Sequence, residues 1–239
     1  RPVAAEVDMV VVRENLEGFY ADRNMHMGPG EFMPTPDVAL AIRRITRENS
    51  RQIARSAFEL ATRRGGRVAV IHKANVLRVS DGLFLEEARA VAADHPEIEV
   101  EEILIDAAAA HFVRDPARFD VVLATNMYGD ILSDLAAELA GGLGLGASLN
   151  HGATHAVAQA QHGSAPDIAG QDRANPGALI GSAAMLLDRL GQPGAAGLIR
   201  NALDPALAAP GTRTADLGGA LGTAAFTETL TRLIEDAET

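Results

Sequence analysis

Residues 119–140 read FDVVLATNMYGDILSDLAAELA, and this stretch decides the fold class. Its first six residues, 119–124, form an almost uninterrupted apolar run, which is typical of a buried β-strand. A polar turn follows at 125–129, and residues 130–140 have the composition and spacing of a helix. A buried strand that leads through a short turn into a helix is the repeating unit of α/β proteins.

The same alternation extends on both sides of this stretch. Strands are predicted at 7–13, 68–71 and 98–105, an irregular arm at 25–36, and helices at 80–93, where Ser80 is the expected cap, and shortly after 105. A long helix is predicted to begin at Thr35, Pro36 and Asp37 and to end near Gly65 and Gly66. Beyond residue 140 the sequence predicts a strand at 156–160 and three helices, so we place a domain boundary near residue 141. The expected fold is α/β with two domains, residues 1–140 and 141–239.

Composition excludes several classes of function. Lys and Arg number 21 against 32 Asp and Glu, a net charge of −11, and only 4% of residues are aromatic, which argues against nucleic acid as a partner. No apolar run is long enough for a membrane span, and no signal peptide is recognisable, so we expect a cytoplasmic protein without a membrane partner. The chain has no cysteine, so any metal must bind oxygen or imidazole ligands.

Three carboxylates are candidate metal ligands. Asp130 and Asp134 are four residues apart on one helix face, directly after a predicted strand, and Asp106 also follows a strand. Carboxylate oxygens without thiolates suit Mg²⁺ or Mn²⁺. The alternative is that the pair belongs to an ordinary solvated helix face.

Lys73 is the second candidate, because it follows a buried strand immediately. A desolvated lysine can serve as a base, and the alternative is a structural ion pair. Arg13, at the end of the first strand, offers a rigid fork for a carboxylate, and Tyr20 carries a hydroxyl that can donate a proton.

A loop of small residues at 162–170 is the third candidate. Small side chains let the backbone approach a phosphate, and Asp167 can accept hydrogen bonds from a ribose, which favours NAD over NADP. The alternative is a capping loop before the helix that Asn175 and Pro176 open. Residues 142–147 match a dinucleotide-binding fingerprint, but we reject the match because this stretch follows a predicted helix instead of a strand. His151 and His155 are expected to be surface residues.

Five segments together resemble the isocitrate/isopropylmalate dehydrogenase family of metal-dependent β-decarboxylating dehydrogenases. They are residues 13–20, 72–77, 126–134, 162–176 and 213–219, which occur in the family's order across nearly the whole chain. The resemblance implies a two-domain fold with open mixed sheets flanked by helices. It also implies a further strand–helix segment ahead of residue 1, so we expect the chain to be N-terminally truncated and its first domain incomplete.

The resemblance implies NAD-dependent oxidation of a 2-hydroxy acid followed by loss of CO₂. Lys73 would be the base, Tyr20 the acid, and Arg13 and Asn75 substrate contacts. The metal ligands would be Asp106, Asp130 and Asp134. The cofactor contacts would be Asn126, His162, Gly163, Ser164, Ala165, Asp167 and Asn175.

The resemblance also implies a homodimer in which Lys73 and Asp106 complete the partner's site. Residues 1–140 would then bind substrate and metal and form the dimer, and residues 141–239 would be the C-terminal part of the cofactor domain. The segment 13–18 resembles the tricarboxylate and tartrate/malate branches of the family more than the isopropylmalate branch, and residues 170–172 resemble isocitrate enzymes. We therefore expect a polar, isocitrate-like substrate, and a tartrate/malate- or isopropylmalate-type enzyme is the alternative. A non-catalytic partner subunit is a second alternative, and a metal-dependent phosphoryl enzyme is disfavoured because no phosphate-binding lysine loop is present.

Overall fold

A computed structural model describes residues 7–20 and 25–237 of the chain. The strands are β1 (Val10–Arg13), β2 (Glu31–Thr35), β3 (Val38–Ala41), β4 (Arg67–His72), β5 (Glu99–Leu104), β6 (Val121–Ala124), β7 (Ala147–His151) and β8 (Ala156–Ala160). The helices are α1 (Arg47–Ala61), α2 (Ser80–Ala92), α3 (Ile105–Arg114), α4 (Asn126–Ala140), α5 (Gly177–Arg189), α6 (Pro193–Ala208) and α7 (Thr223–Ala237). The chain divides after Ala140 into two compact units, called the first and second unit below. Among the helices described, none has the length and hydrophobicity needed to cross a membrane.

The first unit contains a parallel sheet with the strand order β1-β6-β4-β5. The two central strands are buried on both faces. In β6, Val121 and Leu123 pack with α1 and α2, whereas Val122 and Ala124 pack with α3 and α4. This burial explains the unbroken apolar run that predicted the strand. Because all four strands point the same way, their carboxyl ends share one edge of the sheet, and the candidate site lies there. The α/β fold class is confirmed.

The long helix predicted from Thr35 is wrong in its first part. Thr35 and Val38 pair with each other across a turn that joins β2 to β3, so the predicted irregular arm and the predicted helix start form an antiparallel hairpin. Proline and aspartate favour turns as well as helix starts, and the apolar residues of β3 alternate with the period of a strand. Helix α1 begins only after Thr46, whose side chain accepts a hydrogen bond from the Asn49 N–H at 3.3 Å.

Three smaller expectations also need correction. Helix α4 begins at Asn126, so the predicted turn before Asp130 is the first helical turn. Ser80 is the first residue of α2 and does not cap it; its hydroxyl accepts a hydrogen bond from Arg43 instead. Strand β1 begins at Val10 instead of residue 7, and it is half-buried because it is the outermost strand of the sheet.

The second unit consists of the β7–β8 hairpin packed on α5, followed by α6 and α7. The strand at 156–160 and the three helices are confirmed, and β7 was missed. Residues 142–147 lead from α4 into β7, so the rejection of the dinucleotide fingerprint is confirmed. His151 and His155 are exposed, as expected.

Candidate active site

An arginine, an asparagine, an aspartate and a tyrosine meet at the carboxyl ends of β1 and β6. Arg13 donates from Nε and Nη2 to the Asn126 Oδ1, at 3.0 and 2.7 Å, and from Nη1 to Asp130 Oδ1 at 2.5 Å. The Tyr20 hydroxyl donates to the other oxygen of Asp130 at 2.9 Å. The side chains of Arg13 and Asp130 are 31% and 43% exposed, so the cluster is open to a ligand.

Two glycines allow this cluster to form. A β-carbon on Gly129 would lie 2.6 Å from Arg13 Cγ, which is far inside van der Waals contact, so only glycine lets β1 and α4 approach this closely. Gly18 has a φ of +83° and lies against Asn126, whose side-chain amide donates to the Glu17 carbonyl at 2.9 Å. The segment that carries Tyr20 is thereby held over the first turn of α4.

The two acids of this segment shape the loop. Glu14 accepts hydrogen bonds from the backbone N–H groups of Leu16 and Glu17, and burial raises the pKa of its carboxyl. Glu17 is buried and accepts the Thr46 N–H at 2.7 Å. Neither residue is among the predicted site residues.

Lys73 follows β4 and Asp106 lies in the first turn of α3, directly after β5. These strands are neighbours, and the Lys73 ammonium forms an ion pair with Asp106 that lowers the pKa of the aspartate. The ion pair that the sequence left open as an alternative is therefore present. Asn75 lies exposed in the turn that follows.

The three predicted metal ligands do not converge within one chain. Asp130 and Asp134 lie one turn apart on α4, but Asp106 is held by Lys73. Within residues 7–20 and 25–237, no three His, Asp or Glu side chains are grouped as a metal site.

The predicted cofactor residues lie in the second unit, except Asn126. His162 to Asp167 form an exposed loop, in which Ala165 adopts a left-handed conformation with a φ of +41°. Asn175 accepts the Gly177 N–H at 2.9 Å at the start of α5 and donates to Asp216 at 3.0 Å. Asp216 was not predicted as a site residue, although it lies in the segment at 213–219 that the resemblance had marked.

Lys73 differs chemically from the arginines that make up the rest of the Lys and Arg residues of the chain. Of the 21 basic residues, 20 are arginines and Lys73 is the only lysine. Apart from one histidine pair, the other described ion pairs all use arginine. A purely structural pair with Asp106 could equally use arginine, whereas arginine cannot give up its proton. The use of lysine at this one position therefore points to chemistry that requires a neutral amine.

Comparison with known proteins agrees with this geometry. The family model described as isocitrate/isopropylmalate dehydrogenase matches residues 1–234. The chain is 46% identical to an isocitrate/homoisocitrate dehydrogenase of Thermus thermophilus, with 98% of this chain and 69% of that protein covered. It is 43% identical to an isocitrate dehydrogenase [NAD] regulatory subunit of Dictyostelium discoideum, covering 97% of this chain and 64% of that protein. The crystal structure of isocitrate dehydrogenase from Methylococcus capsulatus matches with a TM-score of 0.87 and 41% identity, over 97% of this chain and 68% of that one. The chain thus belongs to the isocitrate/isopropylmalate dehydrogenase family of decarboxylating dehydrogenases.

Proposed function

We propose that the protein catalyses the NAD-dependent oxidative decarboxylation of a polar, isocitrate-like 2-hydroxy acid with the help of Mg²⁺ or Mn²⁺. The observation that carries this proposal is the edge of the parallel sheet. Along it, Arg13, Tyr20 and Asp130 form one cluster at the ends of β1 and β6, and the only lysine of the chain follows the next strand, β4. These groups can bind a carboxylate, donate a proton, hold a cation and accept a proton, respectively.

The donor set fits a hard divalent cation. Asp130 and Asp134 supply carboxylate oxygens one helical turn apart, and no thiolate competes for the metal because the chain lacks cysteine. We propose that these two residues and Asp106 of a second copy hold the ion. Since the part of the chain that the structure describes does not group three ligands, a partner's carboxylate would complete the set.

The loop at 162–167 fits the adenosine half of a dinucleotide. Gly163, Ser164 and Ala165 have small side chains and are exposed, so their backbone groups are accessible. His162 and Asp167 flank them, and the exposed carboxylate of Asp167 can accept hydrogen bonds from a ribose. Asn175 would extend this contact at the start of α5, and Asn126 would reach the nicotinamide amide.

When bound, NAD accepts a hydride and the cation withdraws charge from the substrate oxygen. In this proposal the residues of the chain move the protons and hold the substrate. Arg13 and Asn75 bind the substrate, with the arginine on a carboxylate. Lys73, as the neutral amine, takes the proton of the substrate hydroxyl. When CO₂ leaves, the electron pair of the broken C–C bond stays on the remaining fragment. Tyr20 then protonates the carbon that carried the lost carboxylate.

A homodimer with shared sites is part of the proposal. The β2–β3 hairpin presents Met33, Val38 and Leu40 with 62%, 43% and 46% of their surface exposed. An isolated two-stranded hairpin is marginal in water, so these apolar residues need a covering partner. A second copy would cover them while bringing its Lys73 and Asp106 to the Asp130 cluster. A cytoplasmic location stays a prediction.

An activity assay with two lysine variants tests the proposed function. The full-length protein is incubated with NAD, Mg²⁺ or Mn²⁺, and in turn isocitrate, homoisocitrate, 3-isopropylmalate, tartrate and malate, and NADH formation is followed. We expect metal-dependent turnover, fastest with a tricarboxylate. Lys73→Ala should abolish it, and Lys73→Arg, which keeps the ion pair with Asp106 but cannot act as a base, should abolish it equally.

Two results would overturn this proposal. Turnover by Lys73→Arg would show that the lysine serves only as a charge. An inactive wild type that stimulates a homologous catalytic subunit would identify a non-catalytic partner subunit instead; one relative is named as a regulatory subunit.

A further inference from the structure

Behind Lys73 lies a buried charged pair that the proposed reaction does not use. Asp81, in the first turn of α2, is fully buried, and its Oδ2 accepts the backbone N–H of Lys73 at 2.6 Å. Its other oxygen is bound by the Arg43 guanidinium, whose side chain is 8% exposed. Arg43 also donates to Ser80 Oγ at 2.8 Å and to Thr125 Oγ1 at 3.2 Å. The pair therefore connects the end of β4 with the start of α2 and the end of β6.

Aromatic rings enclose the same arginine. Its guanidinium lies 5.5 Å from the ring centroid of Tyr128 and 5.7 Å from that of Phe19. Burial, together with the negative charge of Asp81, raises the pKa of the Tyr128 hydroxyl, so this hydroxyl stays protonated at neutral pH.

Three of the residues around Arg43 are linked directly to residues of the candidate site. Phe19 precedes Tyr20, and Thr125 precedes Asn126. Asp81 binds Lys73 itself. The Arg43–Asp81 pair thus contacts the segments that carry Tyr20 and Asn126 as well as the segment that carries Lys73. Both of its charged groups are buried.

A buried ion pair is weak evidence for stability alone, because desolvation of two charges offsets their attraction. The amino-terminal ends of the same strands provide a comparison. There, Asp120 is buried, binds Arg64 Nε at 2.8 Å and accepts the backbone N–H of Arg67 at 3.3 Å. Both ends of β4 are therefore anchored by a buried aspartate and an arginine, but only the Asp81 end carries site residues.

We propose that Asp81 and Arg43 are positioning residues that fix Lys73 for proton transfer, an inference that rests on the proposed function. Asp81 holds the main chain of Lys73, and Arg43 fixes Asp81 relative to the segments of Tyr20 and Asn126. Since a displacement of about 1 Å can cost about 100-fold in rate, the anchor affects turnover more than substrate binding.

The test compares Asp81→Asn with the matched control Asp120→Asn in the full-length protein. Both changes remove one buried charge beside an arginine at one end of β4, so we expect both to lower the melting temperature. Only Asp81→Asn should lower kcat, by about 10- to 100-fold, with KM changed by less than about threefold. Equal kcat losses in both variants, or a kcat of Asp81→Asn close to wild type, would overturn the inference.

A second measurement does not depend on activity. Because Lys73 is the only lysine in these 239 residues, an amine-reactive reagent followed by peptide mapping reports on this side chain alone. We expect Asp81→Asn to change the labelling rate of Lys73 several-fold and Asp120→Asn to leave it unchanged. If Asp81→Asn fails to fold, Arg43→Gln replaces it, because the shorter, uncharged glutamine cannot bind Asp81, Ser80 and Thr125 together and adds no second lysine.

The two proposals fail differently. An inactive wild type in which Asp81→Asn still changes Lys73 labelling contradicts the proposed function but supports the anchor. An active wild type whose two aspartate variants behave alike contradicts the positioning role only.

Discussion

Replacing Gly129 with alanine should destabilise the protein, although alanine is the better helix former and Gly129 lies within α4. The added β-carbon would lie 2.6 and 2.7 Å from Cγ and Cβ of Arg13 and 3.2 Å from its Cα. These atoms belong to the root of the side chain and to the backbone of β1, so no free rotation relieves the clash. An ordinary carbon–carbon contact is about 3.6 Å, so β1 and α4 must separate by about 1 Å.

The magnitude follows from two opposing effects. Helix propensity favours alanine over glycine by about 1 kcal/mol, whereas overpacking costs about 1–3 kcal/mol. Because the clash reaches the β1 backbone, we expect the upper part of that range and a net loss of about 1–2 kcal/mol. Gly82→Ala in α2 is the matched control, since a β-carbon there meets nothing within 4 Å. That change should stabilise by about 0.5–1 kcal/mol.

Urea unfolding of the two variants and the wild type measures this difference. The same clash displaces the root of Arg13, so KM of Gly129→Ala for the substrate should also rise by about tenfold or more. If Gly129→Ala were as stable as the wild type while Gly82→Ala gained stability, the close packing of β1 on α4 would be refuted.

Three further predictions concern the metal, pH and assembly. Asp130→Asn should raise the Mg²⁺ concentration needed for half-maximal activity by about tenfold or more, measured by metal titration, and an unchanged requirement would remove Asp130 from the ligand set. Hydrogen bonds from Arg47, and to a smaller extent from Arg51, lower the pKa of the Glu87 carboxyl in the folded protein. The carboxylate therefore stabilises the fold above the unfolded-state pKa of about 4.3, and this stabilisation is lost as the pH falls through the lower pKa of the folded state. The stability deficit of Glu87→Gln in urea unfolding should therefore shrink between pH 6 and 3 (about these limits), and a constant deficit would contradict the assignment. Leu40→Glu should shift the sedimentation coefficient from dimer to monomer, because it places a charge on the apolar hairpin; an unchanged coefficient would show that the hairpin lies outside the interface.

The sequence predicts the parallel sheet well because its central strands are buried on both faces. Residues 68–71 and 121–124 are apolar without interruption, and few other local structures produce that pattern. Once the strands are placed, the topology rule puts Lys73, Asp106 and Asn126 at one edge of the sheet. The location of the site around Asp130 can therefore be predicted from local sequence patterns and this topology rule.

The β2–β3 hairpin was missed because its turn is ambiguous. Proline followed by aspartate begins helices and also forms turns, and only the pairing of Thr35 with Val38 decides between them. The larger residues Val38, Leu40 and Ile42 alternate with alanine, which is the period of a strand, but the spacing of Val38 and Ile42 also fits one face of a helix.

The Arg43–Asp81 pair could not be predicted from local pattern. The two residues are 38 positions apart, and an acid in the first turn of a helix is common for reasons of the helix dipole alone. Only the packing of α1 and α2 on the same face of the sheet brings Arg43, which lies before α1, to Asp81 in the first turn of α2.

A complementation experiment tests the shared catalytic site most directly. Lys73→Arg, which lacks the base, and Asp130→Ala, which lacks the metal ligand altogether, are each expected to be inactive. The two full-length variants are co-expressed with different tags so that mixed dimers form. In a mixed dimer with shared sites, one site carries both defects and the other carries none, so random assembly should restore about a quarter of wild-type activity. An active wild type whose mixed dimers remain inactive would contradict the sharing of Lys73 between subunits and place the whole reaction within one chain.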